Sequence, residues 1–245
     1  MSAIAILPLA NVLFALRQSN APGQVIVAVL LIWSVWVWTV MTTKLRDLKR
    51  AERETREFVS LFRREVDPVA LYLKRRRFEG SPVYKVYENG CLAIGGELED
   101  VDGIDTEDLL LGRMSDQSRA LSSRQCEMVR NNVERTVTDQ AMVLENRMGT
   151  VANAVSTCPF LGLLGTVWGV MDAFGGMAVS GAATLSAVAP GISGALLTTI
   201  VGLLVAIPSA IGYNILTHKI RNMHVQMDNF AQEFLSAVQR AYLSE

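Results

Sequence analysis

The chain has 245 residues, is 50% hydrophobic and 19% charged, and carries a formal net charge of −1. Near-neutrality argues against a nucleic-acid binder, which needs a dominant basic face, and abundant Leu, Ile, Val and Trp argues against intrinsic disorder. The charges are also unevenly placed: none falls in 18–43, 148–171 or 173–218, runs of 26, 24 and 46 residues. Apolar runs of about 20 residues without charge read as membrane-spanning helices. Cys91, Cys126 and Cys158 form no CxxC pair and no disulfide framework. With only two histidines, a His/Cys metal cage is not expected.

Residues 1–23 are apolar at first, but no basic region precedes the run and Pro8 interrupts it. They read as a periplasmic or interfacial lead-in and not as a cleaved signal. The first span is 24–43 and is bulky, with Trp33, Trp36 and Trp38 towards the end that meets Lys44. Such tryptophans sit either at headgroup depth or in helix packing.

Lys44, Arg46, Lys49, Arg50, Arg53 and Arg56 follow the first span, and Lys219 and Arg221 follow the last charge-free run. The positive-inside rule puts both segments in the cytoplasm. The connection after Asp172 has no Lys or Arg and belongs outside. Three spans satisfy this, with the N-terminus out and the C-terminus in. Two short spans inside 173–218 would put Lys219 and Arg221 outside.

The second span is therefore 148–172, followed by a glycine-rich periplasmic turn at 173–185. The third is 186–216, and 217–245 is a cytoplasmic helix. Segment 44–147 is a cytoplasmic helical region. Leu45, Leu48, Thr55, Val59 and Phe62 recur at helical spacing, as do Cys126, Val129, Val133, Val137, Ala141, Leu144 and Met148, which run on into the second span. Residues 95–109 are acidic and contain glycine, and read as a mobile solvated loop or a partner contact.

The later spans differ in kind from the first, being rich in Gly, Ala, Ser and Thr. Small residues let membrane helices approach closely. Gly165 and Gly169 form one such step, and Ala195, Thr199, Gly202, Ala206 and Ser209 form a stripe on the third span. Asn153, Ser156 and Thr157 form one polar cluster, and Ser193, Thr198 and Thr199 another. Together they predict a shared polar seam facing a bundle interior, although a Ser or Thr hydroxyl can also bond only its own helix. Pro190 and Pro208 are expected to kink the third span. No HExxH, GxSxG or P-loop occurs, and no charged residue lies deep in a span. Neither an enzyme nor a cofactor is expected. The fold class is an all-α integral membrane protein, with long helical extensions and an oligomeric bundle that keeps the first span outside.

Residues 159–171 read PFLGLLGTVWGVM, and 189–209 read APGISGALLTTIVGLLVAIPS, with Tyr213-Asn214 soon after and MDNFAQEF at 227–234. These motifs resemble the MotA/TolQ/ExbB proton channel family, on its TolQ/ExbB branch. The likeness is close over about 150–235 and looser over 24–60. It implies a bacterial inner-membrane pentamer whose second and third spans enclose the single helices of a TolR/ExbD-like partner bearing a membrane Asp. Ion flow there would drive motion passed to the periplasm. By resemblance, Thr199 and Asn153 would line the ion path. One departure stands out: those relatives carry a Glu four residues after the Pro of APGI, and here that position is Gly194. The partner Asp would then act alone, or oxygen ligands would favour Na+, or the chain would be a non-conducting scaffold for a periplasmic partner.

Overall fold

A computed structural model of the protein describes residues 20–102, 121–180 and 184–242. The regular elements among them are helices: α1 Ala21–Phe62, α2 Ala70–Leu73, α3 Pro82–Asp102, α4 Ser123–Glu145, α5 Met148–Ser180 and α6 Leu185–Tyr242. Three of these, α1, α5 and α6, are long and apolar enough to cross a membrane. The chain is an all-α integral membrane protein with three spans.

Several boundaries differ from the sequence reading. Residues 1–19 of the N-terminal segment lie outside the described residues, and helix already begins at Ala21. The segment read as a loop from Gly95 is helical to Asp102; its remainder, 103–109, lies outside the described residues. The glycine penalty there, about 1 kcal/mol per residue, is overridden by tertiary contacts. Ile94 is fully buried, and the Gln125 amide donates to the Glu97 carbonyl at 2.8 Å. The turn read at 173–185 is also shorter than expected, because α5 continues through Gly175 and Gly176 to Ser180. In a bilayer, a continued helix is the local way to keep each backbone group bonded. Finally, α4 does not run unbroken into the second span. It ends at Glu145, and Arg147 takes a left-handed φ of 68° before α5 begins.

The described chain forms two compact units, one of residues up to Thr43 with Arg147–Leu216, the other Lys44–Asn146 with Thr217–Glu245. In the first, Leu30 and Val37 of α1, Val151, Ala154 and Cys158 of α5, and Val205 and Ala206 of α6 form one core. Trp33 packs on this core with its indole nitrogen buried, while Trp36 and Trp38 are exposed. The tryptophans thus divide between packing and the outer face.

The second unit has an aromatic centre. Phe58 lies 5.2 to 5.7 Å, ring centre to ring centre, from Phe78, Tyr84, Tyr87 and Phe230. Burial pushes the Tyr87 phenol and the Cys91 thiol upward, so both stay neutral. The Tyr87 hydroxyl accepts the Tyr72 backbone N–H at 2.9 Å. The start of α3 is fixed twice: Ser81, fully buried, meets the Thr55 hydroxyl at 2.8 Å, and the Gly80 N–H donates to Glu54 at 2.7 Å. Glu54 also takes Arg50 at 2.7 Å, and these bonds hold its carboxyl below the usual carboxylate range. At the other end Tyr242 donates to Asp67 at 3.0 Å, and its carbonyl accepts the Leu121 N–H at 2.6 Å.

Phe58→Ala is expected to destabilise this unit by about 3–5 kcal/mol, read as a lowered thermal midpoint of the purified protein by circular dichroism. A second expectation concerns acid. Because the folded Glu54 carboxyl is depressed, its contribution is complete above the unfolded value of about 4.3. It is lost as pH falls from there through the folded value. Glu54→Gln should lower stability near neutrality and flatten the acid limb of the stability–pH curve, so that the two proteins converge as pH falls.

Candidate functional site: the α5–α6 seam

α5 and α6 run antiparallel at close range because their facing residues are small. A Cβ added at Gly162 would lie 2.9 Å from the Thr198 carbonyl oxygen and the Thr199 Cα. One at Gly202 would lie 2.6 Å from the Cys158 carbonyl oxygen, and one at Gly169 would lie 2.6 Å from the Ala195 Cβ. Gly165 faces the Thr198 side chain, and Gly191 faces Ala173. The stripes are therefore 158, 162, 165, 169, 173 on α5 and 191, 195, 198, 202 on α6. Gly165, Gly169, Ala195 and Gly202 take the packing positions read from sequence. Ala206 is buried in the core shared with α1. Gly162, which sequence reasoning passed over, makes a backbone approach second in tightness to that of Gly202.

Two threonines close the seam. Thr198 is fully buried, and its hydroxyl is shared between the Ala195 carbonyl at 2.7 Å and the Gly162 carbonyl across the seam at 2.9 Å. Thr199 is half-buried and donates to the same Gly162 carbonyl at 3.1 Å. Its oxygen lies 3.5 Å from that of Thr166, whose own proton goes to the Leu163 carbonyl at 2.7 Å. The Thr199 hydroxyl is thus shared between the Gly162 carbonyl and the Thr166 oxygen, and each threonine oxygen keeps accepting capacity of its own. Such a pair can accept from water or hydronium, or ligate a hard cation.

Within one chain the two polar clusters do not meet. Antiparallel register sets Gly162 opposite Thr198–Gly202, so Asn153, nine residues earlier on α5, lies about 13 Å further along the helix. Asn153 and Ser156 are exposed and Thr157 is half-buried. The Ser156 hydroxyl reaches the Ala152 and Asn153 carbonyls of its own helix, both at 3.2 Å. Ser193 is exposed, close to the Gly169–Ala173 end of the seam. The residue that meets Thr199 is Thr166, absent from the sequence reading. Its spacing of four from Gly162 and three from Gly169 places it at the edge of the glycine face, and that spacing was the available signal.

α6 is continuous through Pro190 and Pro208, and α5 through Pro159. Beside Pro208 the buried Ser209 donates to the Val205 carbonyl at 2.6 Å. Gly194, four residues after Pro190, is buried. Among the described residues no group of His, Cys, Asp or Glu could hold a metal ion.

Comparison with known proteins follows the same helices. The model of the MotA/TolQ/ExbB proton channel family matches residues 106–229. The chain is 33% identical over 234 residues to the Tol-Pal system protein TolQ of Haemophilus influenzae, covering 94% of each. It is 31% identical over 170 residues to the biopolymer transport protein ExbB of Pseudomonas putida, which is 68% of this chain and 51% of that protein. Against the Tol-Pal system protein TolQ of Pseudomonas aeruginosa, it is 42% identical over 97 residues, 40% of this chain and 42% of that protein.

A side chain at Gly202 must part the two helices, whereas one at Gly176, with open space around it, should not. Gly202→Val is expected to cost about 1–3 kcal/mol of overpacking strain and to lower the melting temperature of the detergent-solubilised protein. Gly176→Ala should melt no lower than the unaltered chain.

Proposed function

Because the chain belongs to the MotA/TolQ/ExbB proton channel family, we propose that it is the ion-conducting subunit of a bacterial inner-membrane motor. It couples the proton-motive force to work in the periplasm or at the outer membrane. The observation that carries this reading is the hydrogen-bonded, half-buried Thr166–Thr199 oxygen pair at 3.5 Å, in a seam of glycine and alanine closed by Thr198. It is a place where a cation can shed part of its hydration without meeting a fixed charge. Thr198 does a different job, holding α5 to α6.

The working unit is a homo-oligomer, a pentamer by family resemblance, around a TolR/ExbD-like single-span partner. That partner supplies the membrane carboxylate, since the only charged residues from Arg147 to Leu216 are Arg147 and Asp172. The exposed apolar faces of α5 and α6, including Phe160, Trp168, Ile200 and Leu204, are suited to neighbouring subunits. The six basic residues at 44–56, with Lys219 and Arg221, support an orientation with the C-terminus in the cytoplasm and the N-terminus in the periplasm. A second reading, a non-conducting scaffold that anchors a periplasmic partner, rests on one feature: Gly194 stands where related motifs keep a Glu.

Ion flux through liposomes holding the chain with its partner separates the two. Conduction predicts that Thr199→Val lowers gradient-driven flux at least about tenfold, about 1.4 kcal/mol on the barrier, with assembly intact. Thr166→Val should act in the same direction and Asn153→Ala little. An unaltered flux in Thr199→Val would remove the seam from the ion path, and no flux in the unaltered complex would favour the scaffold.

A further inference from the structure

The seam oxygens are neutral. They can accept a cation but cannot gather cations or repel anions over any distance. One fixed anion lies within reach. Asp172 is exposed on α5, six residues beyond Thr166, about 9 Å along the helix. It is adjacent to Ala173, which closes the seam against Gly191. It is the sole carboxylate between Glu145 and Asp228. It is also held in place. The Asn20 amide nitrogen donates to the Asp172 carboxylate at 3.2 Å, while the Asn20 amide oxygen accepts the Gly23 N–H at 3.1 Å and so caps α1. One amide thus ties the first turn of α1 to a carboxylate on α5. A neutral donor of this kind orients the carboxylate and leaves its charge uncancelled. The other charge near Asn20 in sequence is Arg17, outside the described residues.

We propose that Asp172 is the cation-collecting group at the outer mouth of the α5–α6 seam, raising the local concentration of the driving cation before it reaches Thr166 and Thr199. This rests on the conducting function proposed above. A fixed charge at a low-dielectric mouth speeds capture of opposite charge, and the effect fades with ionic strength. Screening acts over about 10 Å at 0.1 M salt and about 3 Å at 1 M, so the contribution belongs to dilute outer solutions.

The test is cation flux through liposomes holding the chain with its partner, measured at about 0.01 M and about 1 M external salt, with assembly checked by size exclusion. Asp172→Asn keeps an oxygen for the Asn20 amide and removes the charge; it should lower flux at least about threefold at low salt and match the unaltered complex at high salt. Asp172→Glu should restore the low-salt rate. Asn20→Ala keeps the charge and should retain most of the low-salt flux. Equal flux in Asp172→Asn and the unaltered complex at low salt overturns the proposal. So does a loss that persists at high salt and is shared by Asn20→Ala, which would make Asp172 an anchor for α1. Thr199→Val is measured alongside: if it conducts normally or the unaltered complex does not conduct, the seam reading itself falls, and this inference with it. If Thr199→Val is blocked and Asp172→Asn is normal, only the inference falls.

Discussion

The membrane unit depends on one close approach, backbone to backbone, between α5 and α6 at Gly162 and Gly202. Lipid tails are as apolar as leucine side chains, so helices in a bilayer gain little from hiding hydrophobic groups from one another. They gain from contact and from hydrogen bonds made in a medium without competing water. Glycine at 162 and 202 brings the Cys158 and Gly162 carbonyls to the opposite helix. Only at that range can the hydroxyls of Thr198 and Thr199 cross to Gly162. Widen the gap by one side chain and the crossing bonds, the Thr166–Thr199 pair and the register that sets Gly169 against Ala195 are lost together.

The second unit solves a different problem with different means. Here water competes for every polar group, and stability comes from buried aromatic area. Phe58, Phe62, Tyr87, Phe230 and Phe234 are drawn from α1, α3 and α6. Their rings meet mostly edge to face. Polar contacts serve as fixings at the margins: Thr55 with Ser81, Glu54 with Gly80, and Arg63 with Glu233 through two bonds of 2.9 Å. α1 and α6 are each a single unbroken helix with residues in both units. One helix can do so because its backbone bonding is internal and needs neither lipid nor water.

Charge-free runs made the three spans legible from sequence, because the cost of a charge in hydrocarbon is local and additive along the chain. The ends of the spans were less legible. Glycine at 95, 96, 175 and 176 suggests a break, yet helix persists through all four positions, since tertiary contact and the need to satisfy backbone groups outweigh propensity. The site was legible in part. Gly165, Gly169, Ala195 and Gly202 follow from spacing on single helices. Pairing across helices does not, because it depends on the antiparallel register, and a sequence carries no direct record of that. Two polar clusters that look matched in composition, at 153–157 and 193–199, therefore lie at different depths, while Thr166, alone among apolar neighbours, meets Thr199.

The Gly162 carbonyl has a consequence for how the seam tolerates change. It is a single acceptor addressed by two hydroxyls, from adjacent residues that point to different sides of α6. Its own helix supplies the Thr166 backbone N–H, so loss of either threonine hydroxyl removes one crossing bond and leaves the other. Loss of both removes the crossing bonds to this carbonyl, and the two positions are coupled through it without touching a common side chain. The seam therefore has a degenerate fastening. One hydroxyl is spare for holding the helices together, and the half-exposed one is free to change partners while the helices stay joined.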